Sequence, residues 1–199
     1  MAVGGLLQTW WQRLRGQLQP SPCPYSDAAV LESPLRGLFA SPSRILGAFG
    51  LAPGERVLEI GPGIGYYSHD AVARLGESGR LVCLDVQREM LLETRRRLQA
   101  HERMAHFVHA SAVALPFLAG AFDRVFLITV LGEIPDRARA LQEIHRILRP
   151  GGRLSVAEQL PDPDFITVAT LRRELRAAGF AEESTKRHFA IAYSSTWSR

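Results

Sequence analysis

Lysine is all but missing. Of 24 basic residues only Lys186 is one, the rest being arginine. The arginines are scattered apart from Arg95-Arg96-Arg97, which falls in a helical stretch and reads as a solvated face. Aromatic residues are not interleaved with them, so the net charge of +4 does not make a nucleic-acid surface. Cysteine is confined to Cys23 and Cys83, with neither metal-ligand spacing nor a disulfide framework; a reducing compartment fits and no metal is expected. Cys83 reads as a small core residue of a strand. Long apolar runs are lacking too: Val125 to Gly132, the longest clean one in the domain, falls far short of the roughly 18 residues of a membrane span. No internal repeat or low-complexity tract is present. The 199 residues suffice for one soluble domain with a substantial core and a short appendage.

The appendage is the N-terminus. Leu6, Leu7, Trp10, Trp11, Leu14 and Leu18 recur at helical spacing among glutamines and arginines, and no acid precedes Asp27. Residues 1–19 are therefore expected to form an amphipathic helix, open to three readings. It packs on the domain and partly covers a substrate mouth; or it lies in a membrane interface, residues 6–18 making transient contact with anionic lipid; or it is a mitochondrial transit peptide. The apolar stretch is too short and too interrupted for a secretory signal. Residues 20–50 begin with Pro20-Ser21-Pro22-Cys23-Pro24, a connector that cannot be helical. Two short lid helices follow, at Ser33-Pro34 and Ser41-Pro42, each a capping serine before a proline at the first helical position. Gly50 stops the second.

From Arg56 onward strands and helices alternate, which predicts a parallel sheet covered by helices on both faces. Strands are expected near 56–60, 80–85, 105–109, 122–129 and 152–158. Helices are expected near 66–75, 87–101, 136–148 and 166–178. A weak alternation around Phe189, Ile191, Tyr193 and Trp197 suggests a closing hairpin. Residues 51–199 are taken as one domain.

Within it, Val57-Leu58-Glu59-Ile60-Gly61-Pro62-Gly63-Ile64-Gly65-Tyr66-Tyr67 reads as strand, glycine loop and helix start in direct succession. Glycine accepts positive φ and lets a ligand lie against main chain, while the helix start presents unpaired N–H groups. The dinucleotide fingerprint G-x-G-x-x-G wants glycine at 66, where Tyr66 stands, so a nicotinamide-dependent oxidoreductase is a weak rival. The pattern present is E-x-G-x-G-x-G. A carboxylate at Glu59 suits a ligand with a cationic amino-acid end and would repel a pyrophosphate.

This stretch resembles motif I of the class I S-adenosylmethionine-dependent methyltransferases. Asp85 closing the second strand, Leu115-Pro116-Phe117, Phe122-Asp123, Leu131-Gly132-Glu133-Ile134-Pro135-Asp136 and Leu148-Arg149-Pro150-Gly151-Gly152 follow in that family's order and spacing. Over about 45–199 the chain is similar to the methyltransferase type 11 group. That group contains the ubiquinone/menaquinone-biosynthesis C-methyltransferases and the soluble phosphatidylethanolamine N-methyltransferases. The resemblance implies a doubly wound, mostly parallel, seven-stranded Rossmann-like sheet in the order 3-2-1-4-5-7-6, with S-adenosyl-L-methionine as cofactor. It implies cofactor contacts from Glu59, Gly61, Gly63 and Gly65, from Asp85 to the ribose hydroxyls and from Val86 to the adenine. Ser111 and Ala112 would follow at the adenine, and Thr129 beneath the methionine end. Where the family commonly has an aspartate at the adenine amino group, this chain has Ser111. That departure favours a second rival, a non-catalytic cofactor-binding or regulatory protein.

The expected reaction is in-line transfer of the sulfonium methyl to a small-molecule or amphipathic, lipid-like acceptor, with no nucleic-acid partner. Such transfer depends on near-attack geometry and exclusion of water more than on a strong base. His69, His109, Glu133, Tyr25 and Tyr66 are the candidates for a base, and none is assigned. The expected location is the cytoplasm, peripheral to a membrane if the interfacial reading holds.

Overall fold

The computed structural model describes residues 22–24, 41–160, 162–188 and 191–199. The expected N-terminal helix, the Ser33-Pro34 helix, Tyr25 and Phe189 lie outside these. Pro42 opens α1 (Pro42–Phe49), and Gly50 closes it at φ 66°, returning its N–H to Leu46 O. Ser41 does not cap with its side chain; its hydroxyl turns to Ser43 Oγ, 3.4 Å away.

Thereafter β1 (Arg56–Ile60), α2 (Ser68–Leu75), β2 (Arg80–Asp85), α3 (Arg88–Arg97) and β3 (Ala105–His109) alternate. They are followed by β4 (Phe122–Ile128), α4 (Arg137–Ile147), β5 (Leu148–Gln159), α5 (Val168–Ala177), β6 (Ala181–His188) and β7 (Ala192–Ser198). The sheet order is β3-β2-β1-β4-β5-β7-β6. The first five strands pair in parallel, and β7 runs antiparallel to both β5 and β6. This is the expected seven-stranded, doubly wound architecture, closed by the expected hairpin.

Three boundaries differ from expectation. Helix α2 starts at Ser68 because Gly65, at φ 80°, sends its N–H back to Pro62 O and keeps both tyrosines in the turn. Helix α3 stops at Arg97, and a 3₁₀ turn (Gln99–His101) completes the segment, a common way to end a helix. Strand β5 begins at Leu148, which pairs with Phe122; the register then shifts past Pro150-Gly151-Gly152 before Arg124 meets Arg153. The Pro-Gly-Gly turn is thus an irregularity inside the strand's first residues. A Cβ on Gly152 would sit 2.8 Å from Arg149 O, which requires glycine there.

Side chains alternate across a strand, and that alternation sorts the core. Leu58 and Ile60 of β1 join Val125 and Leu127 of β4, Leu154 and Val156 of β5 and the apolar faces of α4 and α5 in one cluster. Val57 points the other way, with Leu81, Cys83 and Phe126, into the layer of α1 and α2. Glu59 shares the parity of Val57 and sits level with Cys83 on β2. Arg124, 1% exposed, shares the parity of Phe126. It spans the Glu55 carboxylate and the carbonyls of Phe49 and Gly50, tying the end of α1 to the sheet.

Candidate cofactor and acceptor site

Open parallel sheets bind ligands beyond the carboxyl ends of their strands, where strand order reverses. Here β1 lies between β2 and β4, and a cavity of about 340 Å³ opens over their ends. Glu59, Gly61, Gly63, Asp85, Val86, Ser111, Ala112 and Thr129 all line it. Gly65 does not.

The glycine loop is held on two sides. Gly61 (φ 70°) gives its N–H to Leu84 O, 2.8 Å away, and a Cβ there would come within 2.5 Å of Val130 Cγ2. Gly65 packs on α3: a Cβ would meet Cα of Thr94 at 3.2 Å. The buried Thr94 hydroxyl donates to Gly63 O at 2.7 Å. Bareness at 61 and 65 therefore also serves packing, against Val130 just past β4 and against α3. Gly63, at φ 58°, lines the cavity together with Gly61.

Glu59 is 3% exposed. Its Oε2 accepts a 2.6 Å bond from Ser68 Oγ in the first turn of α2, and Cys83 Sγ lies 3.9 Å away. Burial pushes its pKa up to about 7 against those hydrogen bonds, with the Asp85 charge adding to the rise. Asp85, at the tip of β2, accepts the N–H of Gln87 at 2.9 Å and those of Gly63 and Val86. Burial raises its pKa as well, and the backbone donors oppose this. Its carboxylate thus ties the end of β2 to the glycine loop. His109 donates from Nε2 to Val86 O, 2.9 Å away, fixing the backbone just past β2. Ser111 Oγ accepts from Val113 N–H at 3.4 Å. Thr129 is the non-glycine residue with positive φ, 54° among the described residues; for a β-branched side chain this is a strained position, of the sort found at binding sites. Of the candidate bases, His69 sits exposed against the His101 ring, whereas Tyr66 and Glu133 line the cavity.

Several lining residues had no sequence signal. Cys23 crosses the mouth: its N–H donates to Glu133 Oε2 at 3.2 Å, and Gln87 Nε2 donates to its carbonyl at 2.8 Å. Ile64 and Met90 pair apart from the two main cores, offering an apolar slot. Asp136 and Asp162 line the cavity as well.

Comparison with known proteins reads the same way. Residues 58–156, about half of the chain, match the methyltransferase domain family. The chain belongs to the class I S-adenosylmethionine-dependent methyltransferases. It is 39% identical over 111 residues to the ubiquinone/menaquinone biosynthesis C-methyltransferase UbiE of Hahella chejuensis, covering 55% of this chain and 45% of the relative. The counterpart in Vibrio cholerae is 34% identical, with 55% and 43% covered. The chain therefore spans less than half the length of these curated relatives. Among solved structures it is similar to a SAM-dependent methyltransferase from Aquifex aeolicus, with TM-score 0.83, 20% identity and 89% and 99% of the two chains covered. It also resembles the [4+2]-cyclase SpnF, with TM-score 0.70, 18% identity and 81% and 79% covered.

S-adenosylmethionine is the cofactor of that family, and the site fits it. The Gly61–Gly63 turn leaves main chain bare on the cavity wall, Asp85 offers acceptors for a ribose, Ile64, Val86 and Met90 give an apolar slot, and carboxylates stand toward a cationic end.

Proposed function

We propose that the protein transfers a methyl group to a small-molecule or lipid-like acceptor. The observation that carries this is the continuity of one cavity from the Gly61–Gly63 turn and Asp85, past Thr129, to Glu133, Asp136 and Asp162. S-adenosylmethionine supplies a methyl group activated on a sulfonium. Gly61 and Gly63 hold its methionine end against main chain, Asp85 accepts from its ribose, and Val86, Ser111 and Ala112 enclose its adenine. Thr129 lies beneath that methionine end, Glu133 stands where an acceptor is aligned for in-line attack, and the Cys23 segment keeps water from the mouth. Alignment and desolvation do the work.

The test is calorimetric titration with S-adenosylmethionine and, separately, NADH, followed by turnover of isotopically labelled S-adenosylmethionine over a broad acceptor panel. Binding of NADH in preference to S-adenosylmethionine would return the oxidoreductase reading. Binding of S-adenosylmethionine without turnover supports the second reading, a non-catalytic cofactor-binding or regulatory protein on the same fold; Ser111, where the family commonly has an aspartate, favours it. The proposal includes a cytoplasmic location with membrane contact through residues 6–18. Liposome flotation with and without residues 1–20 tests that contact, and unchanged flotation on deletion removes it.

A further inference from the structure

Pro22-Cys23-Pro24 lies across the cavity mouth, its two prolines exposed and Cys23 half-buried between them. Proline has a fixed φ and no N–H, and a residue ahead of proline is held to extended backbone. The segment is therefore stiff, and Cys23 supplies its one N–H. That N–H goes to Glu133 Oε2 at 3.2 Å, and the Cys23 carbonyl receives Gln87 Nε2 at 2.8 Å. Both bonds are made by main chain of the strap, so they do not depend on the thiol. The two anchors stand on opposite flanks of β1. Gln87 follows β2 at the start of α3, and Glu133 ends the 3₁₀ turn (Leu131–Glu133) that follows β4. Between those strands β1 runs into the Gly61–Gly63 turn, and Pro22, Cys23, Gln87 and Glu133 line the cavity with it. Gln87 is joined to the cofactor side as well. Its own N–H is given to Asp85 Oδ1 at 2.9 Å, so the acid assigned to the ribose also sets the residue that holds the strap.

We infer that Gln87 and Glu133 latch the Cys23 strap over the cofactor, and that Gln87 is a positioning residue which must let the strap go before S-adenosylhomocysteine leaves. The inference rests on the methyltransferase reading and adds to it a step after transfer. One residue is gripped from two sides, so loss of either grip loosens it. Each grip is a single hydrogen bond at a partly exposed place, and such bonds are individually weak. The strap thus opens on the timescale of turnover, as lids over active sites commonly do. A ribose held by Asp85 steadies Gln87 through the carboxylate they share. By linkage the coupling runs both ways: the ligand tightens the strap, and the strap slows the ligand's departure.

The experiment uses the full chain with its cysteines labelled by an NMR-active nitrogen isotope. Two cysteines give two amide signals: Cys23, which reads the latch, and Cys83 inside β2, which reads the sheet. Solvent exchange of the Cys23 N–H is followed without ligand and with saturating S-adenosylhomocysteine, and release of S-adenosylhomocysteine is timed by stopped-flow displacement. Gln87→Met keeps the length of the side chain and removes its donor. Glu133→Ala removes the acceptor on the other flank, and Glu133→Gln keeps one. Gln87→Met and Glu133→Ala should each speed Cys23 exchange in the free protein roughly fivefold, the scale of one hydrogen bond, with the Cys83 signal unmoved. Glu133→Gln should recover most of the protection. S-adenosylhomocysteine should slow Cys23 exchange in the wild type, and Gln87→Met should release it roughly fivefold faster. A Gln87 that merely touches the ligand would speed release in Gln87→Met while Cys23 exchange in the free variant stays at the wild-type rate, and that result overturns the latch. So does wild-type exchange indifferent to S-adenosylhomocysteine, or release from Gln87→Met at the wild-type rate. Failure of the wild-type protein to bind S-adenosylhomocysteine would instead overturn the methyltransferase reading beneath it, whereas exchange in the free variants is read without any ligand.

Discussion

Glu59→Gln is the most informative single substitution, because its effect has both a magnitude and a sign. In the folded chain the Glu59 carboxyl is pushed from the ordinary 4.5 to about 7 by burial. The native state therefore binds a proton there that the unfolded chain has released between those two values. Stability is proportional to protons bound by the unfolded state minus those bound by the native one, so it falls as pH rises through this window. At about 1.4 kcal/mol per pH unit, the interval from 4.5 to about 7 amounts to about 3 kcal/mol. The group is buried, so solvent screening does not reduce it. Glutamine keeps an acceptor for Ser68 Oγ and cannot titrate. The expected outcome is that urea unfolding places the wild type lower relative to the variant by about 3 kcal/mol at pH 8.5 than at pH 4.5. Glu158, whose pKa is raised as well, is present in both proteins and drops out of the difference. A difference that stays flat with pH would refute the reasoning. The same variant tests the cofactor role. A cationic amino group beside Glu59 would pull its pKa down, so binding of S-adenosylmethionine near pH 6.5 should release protons in the wild type and fewer in the variant. Calorimetry in buffers of different ionisation enthalpy measures that release.

Four further predictions follow from the site and its frame. Asp85→Ala should weaken S-adenosylmethionine binding by about 1.5–3 kcal/mol, the scale of charged hydrogen bonds, and unchanged affinity in calorimetry would dissolve the ribose assignment. Gly63→Val should abolish binding, since a branched side chain at φ 58° fills the bare wall; binding that survives would sink the cradle. Gly132→Ala must displace the Asp164 carbonyl, at about 1–3 kcal/mol of stability. It should lower label transfer to acceptors while S-adenosylmethionine affinity remains, and the reverse pattern would place Gly132 on the cofactor side. Arg124→Met leaves Glu55 and the carbonyls at the end of α1 without their guanidinium. A loss of about 3–5 kcal/mol in urea unfolding is expected, and a loss under about 1 kcal/mol would show that solvent replaces it.

Most of the frame was legible because it is written in local pattern. Five apolar runs at parallel-strand spacing and the Pro-Gly-Gly turn are properties of short windows, and so is the glycine loop. Even the direction of Glu59 lay in the sequence: it shares the parity of Val57, so it had to point under α2, where Ser68 meets it. What local pattern could not carry was the reason for each glycine. Gly61 and Gly65 answer to Val130 and Thr94, residues about 70 and about 30 positions away, so their bareness also serves packing that no short window shows. Ser41 failed as a cap for a nearby reason, since Ser43 claims its hydroxyl. The acid cluster around Glu158 was invisible for the same cause on a larger scale. Glu133, Glu158 and Asp162 come from separate segments after β4 and at the end of β5, and only the sheet brings them together.

The two buried glutamates show why burial alone does not mark a site. Glu59 and Glu158 are 3% and 2% exposed, and in both burial is the largest cause of a raised pKa. Their partners differ. Glu59 is answered from its own layer by Ser68 and Cys83, so the cofactor finds it already bonded and acts on it mainly through charge. Glu158 is surrounded by other acids and keeps one oxygen unanswered among the described residues. In a low-dielectric surrounding an unanswered oxygen of that kind is costly. β1 and β5 thus place similar acids on opposite faces of the sheet. The one on the α2 side meets Ser68 at the start of the helix that follows the glycine loop, and the one on the α5 side keeps an oxygen without a hydrogen-bond partner among the described residues.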